Sequence, residues 1–540
     1  MRNLPLSPPQ CHIILLLLLI ALTHLCMRVT SAACHVDNES GLLGFKSGIT
    51  ADPSGLLASW KQGKDCCTWA GVKCRVNHRV TNLSLSGQPG KPNSYLSGKI
   101  SPALTKLKFL EGLYLQKLRQ LSGPFPDILF GLPNIKYVYI EDNKLSGRIP
   151  KTVRNLTRLS ALSLLGNRFT GSIPGSISKL TELTQLNLGG NLLHGSIPPG
   201  IQNLKNLTFL GLDRNQLSGP IPNFLGQFSK LQFLRLSVNN FTGEIPDSIS
   251  TLSRTLTSLE LGNNFLTGKI PDFLGKFKKL DTLILANNKL SGTVPKSFSD
   301  LTKIFKLHVE HNKLVDPFPQ LHVKSFKSLD LSHNEFHLKK IPQWVVTSPI
   351  MFNLRLAKCG IQMKFQDFKP SEASFYDSID LSENDISGDP TALLNKTKNL
   401  VRFKASGNKL RFDLGKLRIP SKLKEFDLSR NSVFGKVPAG VARVEKLNVS
   451  HNHLCGPIPP TKSPASAFVG NDCLCGAPLK PLAQVTLLDL SAALLFAGAA
   501  DAGLSGGDGG AEGGRGVGCQ EGFELGQSLR KKVWCCVCES

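Results

Sequence analysis

Apolar and polar residues follow one phrase through most of the chain, L-x-x-L-x-L-x-x-N-x-L-x-G-x-I-P. Asp142-Asn143-Lys144-Leu145-Ser146-Gly147-Arg148-Ile149-Pro150 aligns with Gly166-Asn167-Arg168-Phe169-Thr170-Gly171-Ser172-Ile173-Pro174. The Asn returns at Asn191, Asn215 and Asn239, each 24 residues on. It continues at Asn264, Asn288, Asn312, Asn334, Asn384, Asn408, Asn431 and Asn452, with Cys359 filling one slot and spacings of 21 to 25. Arg119 holds the same place earlier, and a less regular unit starts near Leu83, giving about fifteen units.

Each position in the phrase has a physical role. Alternation such as Leu186-Asn187-Leu188 or Leu234-Arg235-Leu236 is the period of a short strand with one buried face. The following Asn can tie backbone groups where the chain leaves the strand. Gly permits a tight backbone, and Pro fixes the return path and ends pairing. One unit cannot cover its own leucines, so neighbours must stack into a solenoid with a parallel inner sheet. Length alone would suggest several domains, but a repeat array makes this one stack.

The ends break the pattern. Residues 1–33 read as a secretory signal: Arg2, an apolar run at 13–22, then Thr30-Ser31-Ala32-Ala33. Residues 483–540 hold 12 glycines and read as a low-complexity, disordered or atypical tail. Within it, 485–500 is a moderately apolar run that includes Asp489, shorter than a spanning helix needs. Arg530-Lys531-Lys532 and Cys535, Cys536 and Cys538 keep a juxtamembrane reading in competition.

The chain has 540 residues, 41% of them hydrophobic and 19% charged, which excludes wholesale disorder. Its formal net charge is +25. Residues 34–482 hold 58 basic and 32 acidic residues, a net +26, so the basicity belongs to the repeats. On a secreted chain this charge points to an anionic polymer and disfavours nucleic acid.

The repeat spacing and the G-x-I-P ending resemble the plant-type extracellular leucine-rich repeat, over roughly residues 34–482. Asp37-Asn38-Glu39-Ser40-Gly41-Leu42-Leu43-Gly44-Phe45-Lys46, Ser59-Trp60 and Cys66-Cys67-Thr68-Trp69-Ala70-Gly71-Val72-Lys73-Cys74 look like that family's N-terminal cap. Asn471-Asp472-Cys473-Leu474-Cys475-Gly476-Ala477-Pro478-Leu479 looks like its C-terminal cap. The chain is most similar to secreted polygalacturonase-inhibitor-like and DNA-damage-repair/toleration-type proteins. The resemblance implies an α/β repeat solenoid, a curved right-handed superhelix with a parallel inner sheet and disulfide-stabilised caps. It divides the chain into a signal (1–33), an N-terminal cap (34–79), repeats (80–454), a C-terminal cap (455–482) and the tail (483–540).

The same resemblance implies Cys34 bridged to Cys66 and Cys67 to Cys74. Cys455, Cys473 and Cys475 follow the last repeat, and their pairing stays open because similar caps close with one more Cys where this chain has Leu482. Cys359 reads as a small buried residue. A zinc site at the N-terminal cysteines is disfavoured, since no histidine pair has ligand spacing. Seven sequons are glycosylation candidates: Asn38, Asn82, Asn155, Asn206, Asn240, Asn395 and Asn448. Asn448 falls on a predicted inner strand, where a glycan would obstruct part of the concave face.

Inner-strand residues between the leucines point outward and form a broad binding face. One column reads Tyr137, Ala161, Gln185, Phe209, Phe233, Ser258, Thr282, Lys306 and Arg402. Its neighbour reads Tyr139, Ser163, Asn187, Gly211, Arg235, Glu260, Ile284, His308, Asp330, Arg355, Asp380, Lys404 and Asp427. Tyr114, Tyr137, Tyr139, Phe209 and Phe233, beside Arg235 and Asp213, have the composition of a protein-binding hot spot; stacking of Phe209 on Phe233 is the competing structural account. Glu260 and His308 extend the candidate site into the charged half.

Catalysis is not expected. Gly503-Leu504-Ser505-Gly506-Gly507 matches G-x-S-x-G without its strand–turn–helix context. Neither H-E-x-x-H nor a phosphate-binding G-x-x-x-x-G-K-[ST] occurs, and no cofactor is implied. The expected function is recognition of a protein or peptide ligand in cell-wall or defence signalling, with a wall hydrolase such as polygalacturonase or a receptor kinase ectodomain as candidate partners. The competing readings are a pectin-retained wall protein and a membrane-anchored receptor-like protein without a kinase.

Overall fold

A computed structural model describes residues 34–323, 326–370 and 375–479. The expected signal, the tail and the last residues of the C-terminal cap lie outside these. The chain divides into two compact units, at Thr242 and Gly243.

The first unit begins with the helix Val36–Ser47, whose N-terminus is capped by the His35 side chain accepting from Asp37 N–H. Its own Leu42 and Phe45 are buried, and Trp60 stacks on Trp69 with ring centroids 5.6 Å apart. Cys34–Cys66 and Cys67–Cys74 are bonded. Asp65 Oδ1 accepts from both Cys34 N–H and Cys67 N–H, tying the two bridges together. The strand Val72–Arg75 pairs antiparallel with Arg79–Ser86, and from there the inner ladder is parallel. It runs through Gly112–Gln116, Tyr137–Glu141, Ala161–Ser163, Gln185–Asn187, Phe209–Gly211 and Phe233–Arg235.

Between inner strands the leucines lie at or near zero exposure, as stacking requires. In the first unit Asn143, Asn167, Asn191, Asn215 and Asn239 are buried too, and each joins two repeats. Asn215 Nδ2 donates to Leu188 O of the preceding unit (3.0 Å) and to Leu212 O of its own (3.1 Å), while its Oδ1 accepts from Leu193 N–H (3.0 Å). Asn167, Asn191 and Asn239 repeat the pattern. The residue before the Asn is left-handed in each unit: Asp142, Gly166, Gly190, Arg214 and Val238 have φ between 53° and 67°.

The L-x-G segment, read from sequence only as a tight backbone before Pro, forms a second parallel ladder through Leu96–Lys99, Arg119–Gly123, Lys144–Arg148, Arg168–Gly171, Leu192–Gly195 and Gln216–Pro220. Pro ends it as expected, capping 3-10 turns such as Lys151–Asn155 and Gly175–Lys179.

The second unit carries its own parallel inner ladder: Ser258–Glu260, Thr282–Ile284, Lys306–His308, Ser328–Asp330, Asn353–Arg355, Ser378–Asp380, Arg402–Lys404, Glu425–Asp427 and Lys446–Asn448. Asn288, Asn312, Asn334, Asn384, Asn408, Asn431 and Asn452 continue the side-chain bridging. Cys359 is buried in its Asn slot, its Sγ 3.6 Å from Leu331 O and Ala357 O. At the C-terminal cap Cys455 is bonded to Cys473, and Cys475 sits half-buried beyond them.

Two substitutions test this account. Asn215→Ala leaves a buried carbonyl on each of two units without its donor, so it should destabilise the chain by about 2–4 kcal/mol. Val238 is β-branched, 44% exposed and held at φ 59°, where a branched side chain is strained. Val238→Asn should therefore stabilise by about 1 kcal/mol. Denaturant unfolding measures both.

Candidate functional site

Pairing register places the residues of each column opposite one another within each unit, though Ala161, Ser163, Asn187 and Gly211 are buried. In the first unit Tyr137, Ala161, Gln185, Phe209 and Phe233 are successive partners, as are Tyr114, Tyr139, Ser163, Asn187, Gly211 and Arg235. Tyr114 and Tyr139 lie face to face, 5.3 Å between centroids and 10° apart. Tyr139 Oη donates to Gln185 Oε1 at 2.9 Å, and Tyr137 is 37% exposed.

Phe209 and Phe233 do pack on each other, 6.0 Å between centroids, tilted by 39°. Arg235 covers the Phe209 ring with its guanidinium carbon 5.4 Å from the centroid. That contact is a cation–π pair between adjacent strands. Phe209 can lean there because Gly211 follows it: a Cβ at Gly211 would lie 2.8 Å from Phe209 Cε1. Stacking and ligand binding therefore do not exclude each other, since stacking holds both rings half-exposed in fixed positions. Asp213 belongs to a third column and pairs with Arg214 at 3.1 Å.

In the second unit the charged columns are largely engaged with the fold itself. Asp330, Asp380 and Asp427 accept from the N–H of Ser332, Ser382 and Ser429, closing the turn after each strand. Arg355 pairs with Asp330 (3.6 Å), and Glu425 takes both Arg402 (3.5 Å) and Lys404 (2.9 Å). Glu260 Oε1 accepts from Ser258 Oγ at 3.0 Å.

His308 Nε2 lies 2.8 Å from Ser328 Oγ, and its Nδ1 is 4.0 Å from Glu310 Oε1. Burial, then Lys306 and Arg355, push His308 down to about 4, so it is neutral near pH 6. A cavity of about 450 Å³ opens over Lys306, His308, Ser328, Asn353, Arg355 and Arg402.

Glu310 was not anticipated from sequence. Its third-column neighbours in the second unit are small: Gly262, Ala286, Ser332, Ala357, Ser382 and Ser406. Glu310 stands alone among them as a carboxylate, a signal visible only when repeats are compared column by column. Burial, then the charge on Asp330, push it up to about 8.

The sequons divide by burial. Asn155, Asn240 and Asn395 are exposed, and Asn82, Asn206 and Asn448 are half-exposed, with Asn448 on an inner strand as predicted. Asn38 is a correction. It is fully buried on the inward side of the cap helix, where an attached sugar has no room. At the N-terminal cap, Cys34, Cys66 and Cys67 cluster closely, as do Asp65, Cys67 and His78. The cysteine sulfurs are consumed by the two bridges. Among the described residues no helix is long and apolar enough to cross a membrane; residues 485–500 lie outside them.

The leucine rich repeat N-terminal domain pattern matches residues 37–75, and leucine rich repeat patterns match 133–193, 206–228, 230–252 and 254–314. The chain is 38% identical over 107 residues to polygalacturonase inhibitor 2 of Arabidopsis thaliana, covering 19% of this chain and 32% of that protein. It is 36% identical over 125 residues to a polygalacturonase inhibitor of Vitis vinifera (23% and 34%). It is 33% identical over 121 residues to the DNA damage-repair/toleration protein DRT100 of Arabidopsis thaliana (21% and 32%). The matches thus span about a third of each relative. Among solved structures, that of PEPR1–AtPEP1 aligns with a TM-score of 0.54 at 25% identity, over 81% of this chain and 69% of that one. The Arabidopsis receptor kinase HAESA, in complex with the peptide hormone IDA and the co-receptor SERK1, shares the fold, with a TM-score of 0.51 at 24% identity over 83% and 99%.

The half-buried Glu310 sets a pH dependence. Its folded pKa of about 8 lies above the ordinary 4.5, so its contribution to stability is full below about 4.5 and is lost as pH rises through 8. His308 runs the other way: with its folded pKa depressed to about 4, its contribution is present above 6.5 and lost as pH falls toward 4. Glu310→Gln should gain thermal stability relative to the unsubstituted chain as pH rises from 5 to 8.5. Parallel melting curves across that range would refute the raised Glu310 pKa.

Proposed function

As the chain is a leucine-rich repeat protein of the plant extracellular type, we propose that it binds a protein or peptide ligand on the inner face of its repeats, in cell-wall or defence recognition. The observation that carries this reading is the Phe209–Phe233–Arg235 group. Two half-exposed rings and a guanidinium are pre-positioned on three-residue strands, so little side-chain entropy remains to be lost on binding. The similarity to polygalacturonase inhibitors makes a wall polygalacturonase the first partner to test. The PEPR1–AtPEP1 likeness keeps a peptide ligand beside it. The role is non-catalytic, and the chain acts outside the cell.

A second reading, retention on pectin, draws on the net +26 of residues 34–482 and on cations along the flank of the first unit. Lys108 donates to Gly131 O, Arg158 to Pro133 O and Asn134 Oδ1, Lys205 to Gln227 Oε1 and Lys230 to Asn206 Oδ1. These acceptors are neutral and leave the positive charge to the solvent. Such a flank would hold a polyuronide by many contacts that salt screens.

Phe209→Ala and Arg235→Ala should each weaken binding to a fungal polygalacturonase about tenfold or more, read by inhibition kinetics and surface capture. Undiminished binding removes this group as the site. An unsubstituted protein that binds none of a panel of polygalacturonases removes that partner. Loss of retention on a polygalacturonate column at moderate salt, with polygalacturonase binding intact, would separate the two readings.

A further inference from the structure

The N-terminal end of the inner face is assigned to ligand by its tyrosines alone, yet it holds a sequon. We propose that Asn82 carries an N-linked glycan whose first sugars lie against the Tyr114 ring in the depression beside Val72 and Lys73, so that this end of the face is occupied by the protein's own carbohydrate. The proposal goes beyond the binding function above and leaves the Phe209–Arg235 group as the open part of the first unit's face.

Asn82-Leu83-Ser84 lies on the strand Arg79–Ser86, where Asn82 and Ser84 point outward and Leu83 is buried. The sugar-bearing atom of an N-linked glycan is Nδ2. Here Asn82 Nδ2 leans over the next strand, 2.9 Å from where a Cβ at Gly112 would stand. Tyr114 leans over the same spot, its Cε2 2.6 Å and its Oη 3.1 Å from that position. Because Gly112 has no side chain, the amide and the ring converge over it.

Asn82 and Gly112 are register partners, which brings the amide beside the strand that carries Tyr114. Tyr139 covers one face of Tyr114. Tyr114 also borders a depression of about 410 Å³, lined with it by Gly71, Val72, Lys73, Asn82 and Ser84. That volume lies in the range of small-ligand sites. An aromatic wall suits the C–H face of a pyranose. Lys73, Ser84 and the Tyr114 hydroxyl supply hydrogen-bonding groups for its hydroxyls and N-acetyl group.

The test uses the full chain secreted from plant cells. Glycopeptide mass spectrometry follows release by peptide N-glycosidase under native and denaturing conditions. The expected result is an occupied Asn82 released at least tenfold more slowly from the native chain than the glycan at exposed Asn155, the difference vanishing on denaturation. Tyr114→Ala should bring the native rate at Asn82 up to that at Asn155. Ser84→Ala, which abolishes the sequon and leaves both Asn82 and the tyrosines in place, should raise nitration of Tyr114 severalfold. An unmodified Asn82, equal native release at the two sites, protection that survives Tyr114→Ala, or nitration of Tyr114 unchanged in Ser84→Ala would each overturn the proposal. None of these readouts depends on ligand binding, so they stand or fall separately from the recognition function.

Discussion

The structure depends on a side chain the hydrophobic core cannot replace: the buried Asn that bonds to two repeats at once. Leucines stacked on leucines supply the bulk of the driving force, but apolar packing is non-directional and does not fix how one unit sits on the next. Most inner strands are only three residues long, so backbone pairing supplies few bonds per unit. The Asn amide adds a donor to a carbonyl of the unit before and an acceptor for one of its N–H groups, deep enough that water cannot substitute. Every column on the inner face inherits its alignment from this row, including the opposition of Phe209 to Phe233.

Much of this was legible in the sequence because each repeat restates it. The period gave the inner strands, the alternation gave the outward columns, and pairing register places those residues opposite one another within each unit. The second ladder was not legible. Its strands are short, each carries a Gly with positive φ such as Gly171 or Gly195, and a turn and a strand look alike over that length. Asn38 misled for a different reason: a sequon is a three-residue pattern, and burial of the first of them is decided by residues far away in sequence. Glu310 is conspicuous only against the small residues above and below it.

The two units use their faces differently. The first offers rings and a guanidinium held by one another. In the second, the aspartates that look available in the sequence are occupied in closing turns, and arginines are matched to acids on adjacent strands. A charged column in a repeat protein can therefore be framework as readily as surface. What distinguishes the cases is whether the carboxylate is followed, two residues on, by a Ser whose N–H it can accept.

The antiparallel strand Val72–Arg75 has a further consequence. A parallel ladder is in principle an open polymer, since each strand leaves behind it the same hydrogen-bonding edge that it used. The cap strand reverses direction at the first inner strand, so the edge it presents no longer matches the one on which the stack was built. Another copy of the ladder arriving there would meet a mismatched register and a surface clamped by two bridges. The cap acts as a chain terminator: it lets the protein be assembled from interchangeable units without becoming one unit of a fibre.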